Sequence, residues 1–437
     1  MRARADKMLN AMLGAASAWL GVSKEAAVLG LLAVLTFGVF VASDAFNIIE
    51  KMDLRLVRLY KVPARGSAVR GKRFLALVNP YSGRKDGLFQ FHRVAYKLLM
   101  RAGASDVSLI KTTHAGHLHE LGKEMARAAL AGDGAGVPDG GVLIFGGDGS
   151  LCEYVNGLVD GASGGSMDLR DGKVRAVLQR VKLGLLPTGT ANGLVASMGC
   201  LTTYQMIVQI IEGDAHLSNV SSIDVNQVVY VDERDGKERK MVDLLCVNFG
   251  MVSDFDDLTE RSWRWMGKLR MLVAPLFLIL RHRTYKCRIA LKPADLDQAT
   301  LAHMARSFGY RDPTKLAPHP ARKGWFVIED DVIMATLTNA AWPANDYCLA
   351  PDLKFDDGFS ALCVIRGHSS RLQLIRAFIG FGDGSAAKLP WTELYKVSGY
   401  EIEADEAGHF GVSGAELSGS KTLRVELFPS LAKILKS

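Results

Sequence analysis

The chain has 437 residues, 49 % of them hydrophobic, and a formal charge of +7, enough material for two or three domains with substantial cores. Its modest basic excess suits phosphates or an anionic membrane face, and the lack of a basic stripe interleaved with aromatics argues against nucleic acid as a partner. The six cysteines lie far apart with no C-x-x-C pair, which argues against zinc and against a disulfide framework and suits a reducing cytosol.

Residues 1–71 stand apart as a membrane-associating segment. Ala26 to Ala42 is continuously uncharged and lies at the short end of the lengths that span a bilayer. Arg2, Arg4 and Lys7 precede it and Lys51, Arg55 and Arg58 follow, so charge bias sets no orientation. The run predicts an anchor or re-entrant segment. A signal peptide cleaved near Val41-Ala-Ser43 is a further reading of the run. An organelle transit peptide and a buried helix also fit the composition. Phe46 to Tyr60 is amphipathic and reads either as a helix along the headgroups or as a linker helix.

From residue 72 to 222, apolar strands alternate with helical stretches, the pattern of a doubly wound α/β domain with a parallel sheet. The predicted strands are Phe74–Val78, Val107–Lys111, Val142–Phe145, Leu183–Leu186 and Val220–Val225, with a flexible insertion from Gly161 to Gly172. From 223 to 437 the runs are short and rich in Val, Ile, Leu and Tyr: Val225–Val231, Val242–Phe249, Tyr285–Leu291, Trp325–Thr338, Ser360–Val364 and Thr422–Leu427. They predict an antiparallel β-sandwich with one helical insertion over 257–283. Pro293 to Lys323 is charged, carries three prolines from 313 onward, and reads as an exposed loop.

Three strand ends carry the chemistry. Val142 to Ser150 reads VLIFGGDGS: a strand stops at Gly146 and Gly147, then Asp148 and Gly149 lead into a helix with apolar residues at Leu151, Tyr154, Val155 and Leu158. Glycines open backbone N–H groups to close approach, and a carboxylate on such a turn can meet a phosphate or a metal ion. Taken alone, the turn is equally well an ordinary strand-to-helix connection. Phe74–Val78 breaks at Asn79, Pro80, Tyr81, Ser82 and Gly83, followed by Arg84 and Lys85. Leu183–Leu186 runs into Pro187, Thr188, Gly189, Thr190, Ala191, Asn192 and Gly193. Three such turns at one sheet edge supply the backbone donors and positive helix ends that a polyphosphate needs. Neither a Walker A loop nor a G-x-G-x-x-G after a strand is present, so the nucleotide is held in another way.

Asn79 to Lys85, Gly146 to Gly149 and Pro187 to Gly193, in this order and spacing, resemble the diacylglycerol kinase-like catalytic superfamily over residues 72–437. Within it the chain looks most like the sphingosine (long-chain base) kinases, through Phe249-Gly-Met-Val-Ser-Asp-Phe-Asp-Asp-Leu-Thr-Glu-Arg-Ser-Trp-Arg-Trp-Met-Gly-Lys-Leu-Arg270. The resemblance implies ATP and Mg2+ as cofactors, a nucleotide-binding domain at 72–222 and a lipid-substrate domain at 223–437. It implies that Asp148 orients and deprotonates the lipid hydroxyl and that Glu153 supports the nucleotide site. It gives Asn79, Ser82, Gly83, Gly146, Gly147, Gly149, Thr188 and Gly189 to the phosphates, with charge from Arg84 or Lys85. Thr112 and Thr190 match nucleotide-contacting positions, although capping or turn roles rival that reading. Arg264 and Arg270 match a pair aimed at the transferred phosphate, which guanidinium groups bind bidentately. No metal-ligand set is legible.

A long-chain base has a protonated amine and hydroxyls, so its headgroup needs a carboxylate. Counting back from Gly267 selects Asp257, counting forward from Phe249 selects Asp256, and Asp254 is a third option. Met271 to Leu280 resembles a lipid-gate segment and reads otherwise as a core helix. His117, after the second strand, reads as a surface histidine. One departure stands out. The family carries an Asp-Gly-Glu near its C-terminus; here Gly411-Val-Ser-Gly-Ala-Glu-Leu417 places Ser413 at the aspartate, then Gly414, and the glutamate falls to Ala415 or, with one inserted residue, Glu416. That change bears on metal affinity and turnover. The sequence thus predicts a membrane-associated kinase with its catalytic domain in the cytosol, phosphorylating the primary hydroxyl of a sphingoid base. Its rivals are a diacylglycerol or ceramide kinase and a lipid-binding membrane adaptor of the same fold.

Overall fold

A computed structural model describes residues 52–436 apart from 133–135, 215, 217, 233 and 418. The apolar run at 26–42 lies outside the described residues. Among the described residues no helix is long and apolar enough to cross a membrane. Residues 52–59, the far end of the predicted amphipathic stretch, are helical. Val57 packs into the core of the first domain, and Arg101 Nη1 donates to its carbonyl at 2.7 Å.

The α/β unit is built on four parallel strands in the order β4-β3-β1-β2. These are β1 (Arg73–Val78), β2 (Asp106–Lys111), β3 (Gly141–Gly146) and β4 (Lys182–Pro187), in register as Phe74↔Val107, Phe74↔Gly141 and Val142↔Leu183. Every residue of β3 is buried, which is why its sequence is continuously apolar rather than alternating. The helices are α1 (Gly87–Gln90 and Tyr96–Arg101, joined through π-helical Phe91–Ala95), α2 (His117–Leu130), α3 (Asp148–Ser163), α4 (Gly172–Arg180), α5 (Gly193–Ser197) and α6 (Thr203–Glu212). Local signals set their ends. Asp171 caps α4 by accepting from Lys173 N, and Thr202 and Gln205 form a capping box on α6. The chain order reverses between β1 and β3, so the turns that follow these two strands flank the crevice at the sheet's carboxyl edge.

The second half is an antiparallel two-layer structure. Its strands are β5 (Val220–Asp232), β6 (Lys237–Asp243), β7 (Cys246–Gly250), β8 (Tyr285–Pro293), β9 (Ala317–Pro318), β10 (Phe326–Thr338), β11 (Ser360–Arg366), β12 (Glu393–Ala404), β13 (Phe410–Val412), β14 (Ala415–Glu416) and β15 (Thr422–Leu435). β10 and β12 are long enough to serve both layers. The first half of β10 pairs with β8 and its second half with β7 and β11. β12 likewise pairs first with β11, then with β8 and β15. Between the layers lie Val247, Phe249, Ile289, Leu337, Tyr395, Tyr400 and Phe410. Helices α7 (Met251–Asp257), α8 (Arg270–Arg281), α9 (Gln298–Phe308) and α10 (Arg371–Phe381) complete the unit.

The two sheets are continuous. The end of β15 runs parallel to β4, with Lys433 beside Lys182 and Ile434 beside Leu183, while β15 pairs along most of β5. The strands expected separately at Val220–Val225 and Val225–Val231 are therefore one strand, β5, which begins against the α/β core and ends in the sandwich.

Three further differences have local causes. The expected loop at 293–323 contains α9, which Asp297 caps by accepting from Thr300 N at 2.9 Å and which Gly309 ends in a left-handed conformation. The helical insertion starts at Met251, six residues before the sequence boundary, because Gly250 turns the chain straight out of β7. β12 is not among the expected strands, since Lys396 and Gly399 interrupt its pattern. Lys396 nevertheless points inward, pairs with Asp352 at 3.0 Å and lies over the Phe359 ring.

Candidate active site

The three glycine-bearing turns meet. A Cβ added to Gly189 would fall 2.4 Å from the Cα of Gly147, and one added to Gly83 would fall 2.5 Å from the carbonyl carbon of Gly189. The loops after β1, β3 and β4 thus touch backbone to backbone, which side chains at these positions would forbid. Backbone bonds stitch them together: Asn79 N donates to Phe145 O at 3.1 Å, and Thr188 N and Gly189 N both donate to Gly146 O, at 3.1 and 3.0 Å. On the rim, Asn79 Oδ1 accepts from Tyr81 N at 3.0 Å, and Arg84 Nη2 reaches Pro187 O at 3.4 Å and Asp86 at 3.3 Å. Lys85 is exposed with φ of 63°, Ser82 is partly buried, and Thr190 is exposed. Thr188 is fully buried with its hydroxyl unpartnered, and Asn192 Oδ1 is unpartnered as well. Thr112 is buried at the end of β2, where its N–H bonds Val78 O at 2.9 Å.

Asp148 is the first residue of α3, and its carboxylate spans to a second helix. Oδ2 accepts from Gly193 N at 2.8 Å and Oδ1 from Leu194 N at 3.2 Å, so Asp148 ties the start of α3 to the start of α5. Burial pushes its pKa up to about 7; the Gly193 and Leu194 amides oppose the rise, and nearby Asp243 adds to it. A carboxylate offers about four acceptor positions, which leaves room for a hydroxyl proton beside the two amides. A base titrating near neutral pH accepts such a proton far better than an ordinary aspartate. Glu153 sits one turn further along α3, partly buried.

On the facing wall, α7 carries three aspartates with three different surroundings. Asp254 accepts from Tyr285 Oη at 2.5 Å and bonds His409 Nδ1 at 2.7 Å. Burial alone would raise its pKa, but these two partners outweigh it and hold the carboxyl below the usual range. Asp257 turns outward toward Arg261 at 3.7 Å, with 41 % of its side chain exposed. Asp256 turns inward: burial raises it to about 7, against a hydrogen bond from the Asn248 amide and with Glu260 adding to the rise. Buried Cys246 lies within electrostatic reach of Asp148, Asp243 and Asp256 together, so acids from both halves surround one thiol.

Arg264 lies in the short helical stretch Arg264–Leu269, which kinks at Gly267, and Arg270 opens α8 with its side chain on Glu260 at 3.1 Å. The apolar stretch at 271–280 is helix α8; it buries Val273, Ala274, Leu278 and Ile279 and leaves Leu276 exposed. Trp265 is exposed beside it, as are Leu372, Phe378 and Ile379 of α10.

The β13–β14 hairpin brings the altered motif to the site. Ser413 and Gly414 form its two-residue turn with φ of 44° and 83°, the left-handed pair that such hairpins require. The Ser413 carbonyl lies 3.2 Å from where a Cβ on Gly149 would stand. Glu416 faces the α7 side, paired with Arg261 and near Asp257 and Asp254; burial raises its pKa against the pull of Arg261. The residue absent from the sequence-predicted set is Asp243, at the end of β6. It is completely buried, and the Ser413 hydroxyl donates to its Oδ1. A lone carboxylate inside the apolar run MVDLLCV is the signal that points to it.

Residues 73–223 match the diacylglycerol kinase catalytic domain family. This stretch, β1 through the start of β5, is similar to that domain over about a third of the chain. The chain is 26 % identical to Sphingosine kinase 1 of Arabidopsis thaliana over 348 residues, 76 % of this chain and 64 % of that protein. It is 23 % identical to Sphingoid long chain base kinase 4 of Schizosaccharomyces pombe over 390 residues, covering 84 % and 76 % of the two chains. The chain thus spans just under two thirds of the Arabidopsis relative. A solved Bacillus anthracis structure assigned as a diacylglycerol kinase shares the fold at a TM-score of 0.54 and 18 % identity, over 84 % of this chain and 95 % of that one. The shared fold therefore takes in the α/β unit and the antiparallel unit together.

Proposed function

We propose that this chain is a lipid kinase that transfers the γ-phosphoryl group of ATP to the primary hydroxyl of a sphingoid long-chain base, giving the 1-phosphate. The contact of the three turns around Asp148 carries this reading. The phosphates sit against Gly147, with Asn79, Ser82 and Gly83 on one side, Thr190 on the other, and Arg84 or Lys85 adding charge, while the Thr188 and Gly189 amides bond Gly146 O and hold the loops together. The unpartnered Thr188 hydroxyl and Asn192 side-chain oxygen are orphan groups that a bound nucleotide would satisfy, the first by donating and the second by accepting from a nucleotide hydroxyl or amine. Mg2+ fits as a passenger on those phosphates, because it keeps waters and takes only one or two carboxylates. Among the described residues no cluster of three His, Cys, Asp or Glu is arranged for a metal. When bound, it neutralises charge developing on the phosphoryl oxygens.

Asp148 takes the proton of the attacking hydroxyl, and Asp256, turned inward from α7, receives the protonated amine. A neutral diacylglycerol gives Asp256 nothing to pair with. The exposed Trp265, Leu276, Leu372, Phe378 and Ile379 suit a protein that draws its acceptor from a membrane surface. A second reading, a lipid-binding adaptor with little turnover, is favoured by Glu416 facing Arg261 rather than the turns. Label transfer from ATP to sphingosine, ceramide and diacylglycerol at equal surface density tests both. Strong labelling of the long-chain base supports the kinase; preference for diacylglycerol refutes the substrate, and equal background from wild type and Asp148→Asn refutes the enzyme.

A further inference from the structure

Asp243 is fully buried, and its hydrogen-bond partners are all neutral: Ser413 Oγ, Asn226 Nδ2 at 3.2 Å and Leu245 N at 3.3 Å. A carboxylate held this way costs folding energy that a neutral residue of the same shape would not, so its place beside a reacting centre is informative. Its position is fixed from both sides. Asn156 of α3 grips the preceding residue, donating to Val242 O and accepting from Val242 N, both at 2.8 Å. Cys152 Sγ of α3 also points at Val242 O, at 2.9 Å. From the opposite side Ser413 N donates to Cys246 O at 2.9 Å, which seats the hairpin turn on β7 and its hydroxyl on Asp243. The helix that Asp148 begins, the strand that Asp243 ends and the turn over Gly149 are thereby locked together.

We propose that Asp243 is the positioning carboxyl group of this site, holding the Ser413 turn against the start of α3 beside Asp148. The role rests on the kinase reading above. The aspartate missing from the hairpin turn is then present one strand away, and Ser413 has become its donor. Burial pushes the Asp243 carboxyl itself upward, and when ionised it disfavours ionisation of Asp148, in line with the rise it contributes there. The other titratable groups facing this pair are Cys152 on α3, Cys246 on β7 and, through Cys246, Asp256 on α7. None of them brings positive charge.

The test uses the full chain in four variants: Asp243→Asn, Asp243→Ser, Ser413→Gly, and Asp243→Ser combined with Ser413→Asp. Each is measured for kcat, both KM values, the acid limb of the kcat–pH profile, and melting temperature. Asp243→Asn is expected to lower kcat by about tenfold or more while both KM values stay within about twofold, and to move the acid limb to lower pH. Ser413→Gly suits the left-handed backbone, so its melting temperature is kept while kcat falls. The paired exchange returns the carboxyl group to the turn and recovers most of the kcat lost in Asp243→Ser. An unmoved pH limb in an Asp243→Asn enzyme, full kcat in Ser413→Gly, or a paired variant no better than Asp243→Ser overturns the role. A wild type that labels no lipid overturns the kinase reading and this one with it; an active wild type with an indifferent Asp243→Asn overturns this one alone.

Discussion

The two walls of the cleft are made in different ways. The wall proposed for the nucleotide is backbone: three loops touch, with glycines at the crossing points and the Thr188 and Gly189 amides bonded to Gly146 O. The wall proposed for the lipid is side chain: Asp254, Asp256 and Asp257 on one short helix, each with a different partner. A backbone wall tolerates no added atoms but is indifferent to charge. A side-chain wall tolerates added atoms and depends on single carboxylates, so the two should fail differently.

The largest effect is expected where the walls meet. Asp148→Asn should lower kcat by about a thousandfold, within the range for loss of a general base, as measured by initial-rate label transfer. Next comes the backbone wall. Gly189→Ala drives a methyl into Gly147 and should cost about 1–3 kcal/mol of stability, with the KM for ATP rising about tenfold or more; an unchanged melt and KM would show that the loops part easily. On the side-chain wall, Asp256→Asn should raise the KM for the long-chain base roughly tenfold, the value of about one charge-assisted hydrogen bond, and leave the KM for ATP alone. Asp257→Asn should change either by less than about twofold, as expected for a surface pair.

The pH dependence sharpens the contrast. With Asp148 near 7, kcat should climb as pH rises through neutrality, because the ionised form is the base. Stability runs the opposite way for Asp256. Its folded pKa of about 7 lies above the value of about 4 for an unfolded aspartate. Unfolding therefore releases a proton between those limits, and stability is lost as pH rises through them. Asp256→Asn should melt above wild type by about 2 °C at pH 8 and show no such gain at pH 4. Calorimetry at the two pH values checks the sign.

These differences also account for what is legible in the sequence. Glycine is a direct record of backbone geometry, so the three turns, their order and the four parallel strands behind them can be read from Asn79–Lys85, Gly146–Gly149 and Pro187–Gly193. Side-chain direction leaves no such record. Motif counting leaves Asp256 and Asp257 level, and the roughly 100° between neighbouring helical residues gives them different surroundings, Asn248 for one and Arg261 for the other. Asp243 is hidden because Val242–Phe249 reads as one strand, whereas the chain breaks after Asp243 into β6 and β7, and nothing local announces that a hairpin 170 residues later will set a hydroxyl on it. β12 is hidden for a related reason: Lys396 looks like a surface residue until Asp352 and Phe359, from other parts of the chain, surround it.

The end of β15 lies alongside β4 and β5, which imposes an order on biosynthesis. While the polypeptide leaves the ribosome, β4 presents a bare hydrogen-bonding edge for the whole time taken to translate the antiparallel half. Nascent molecules would need shielding throughout that interval. Expression of 73–223 alone should yield aggregates, and adding a peptide of residues 422–436 should bring part of that material into solution.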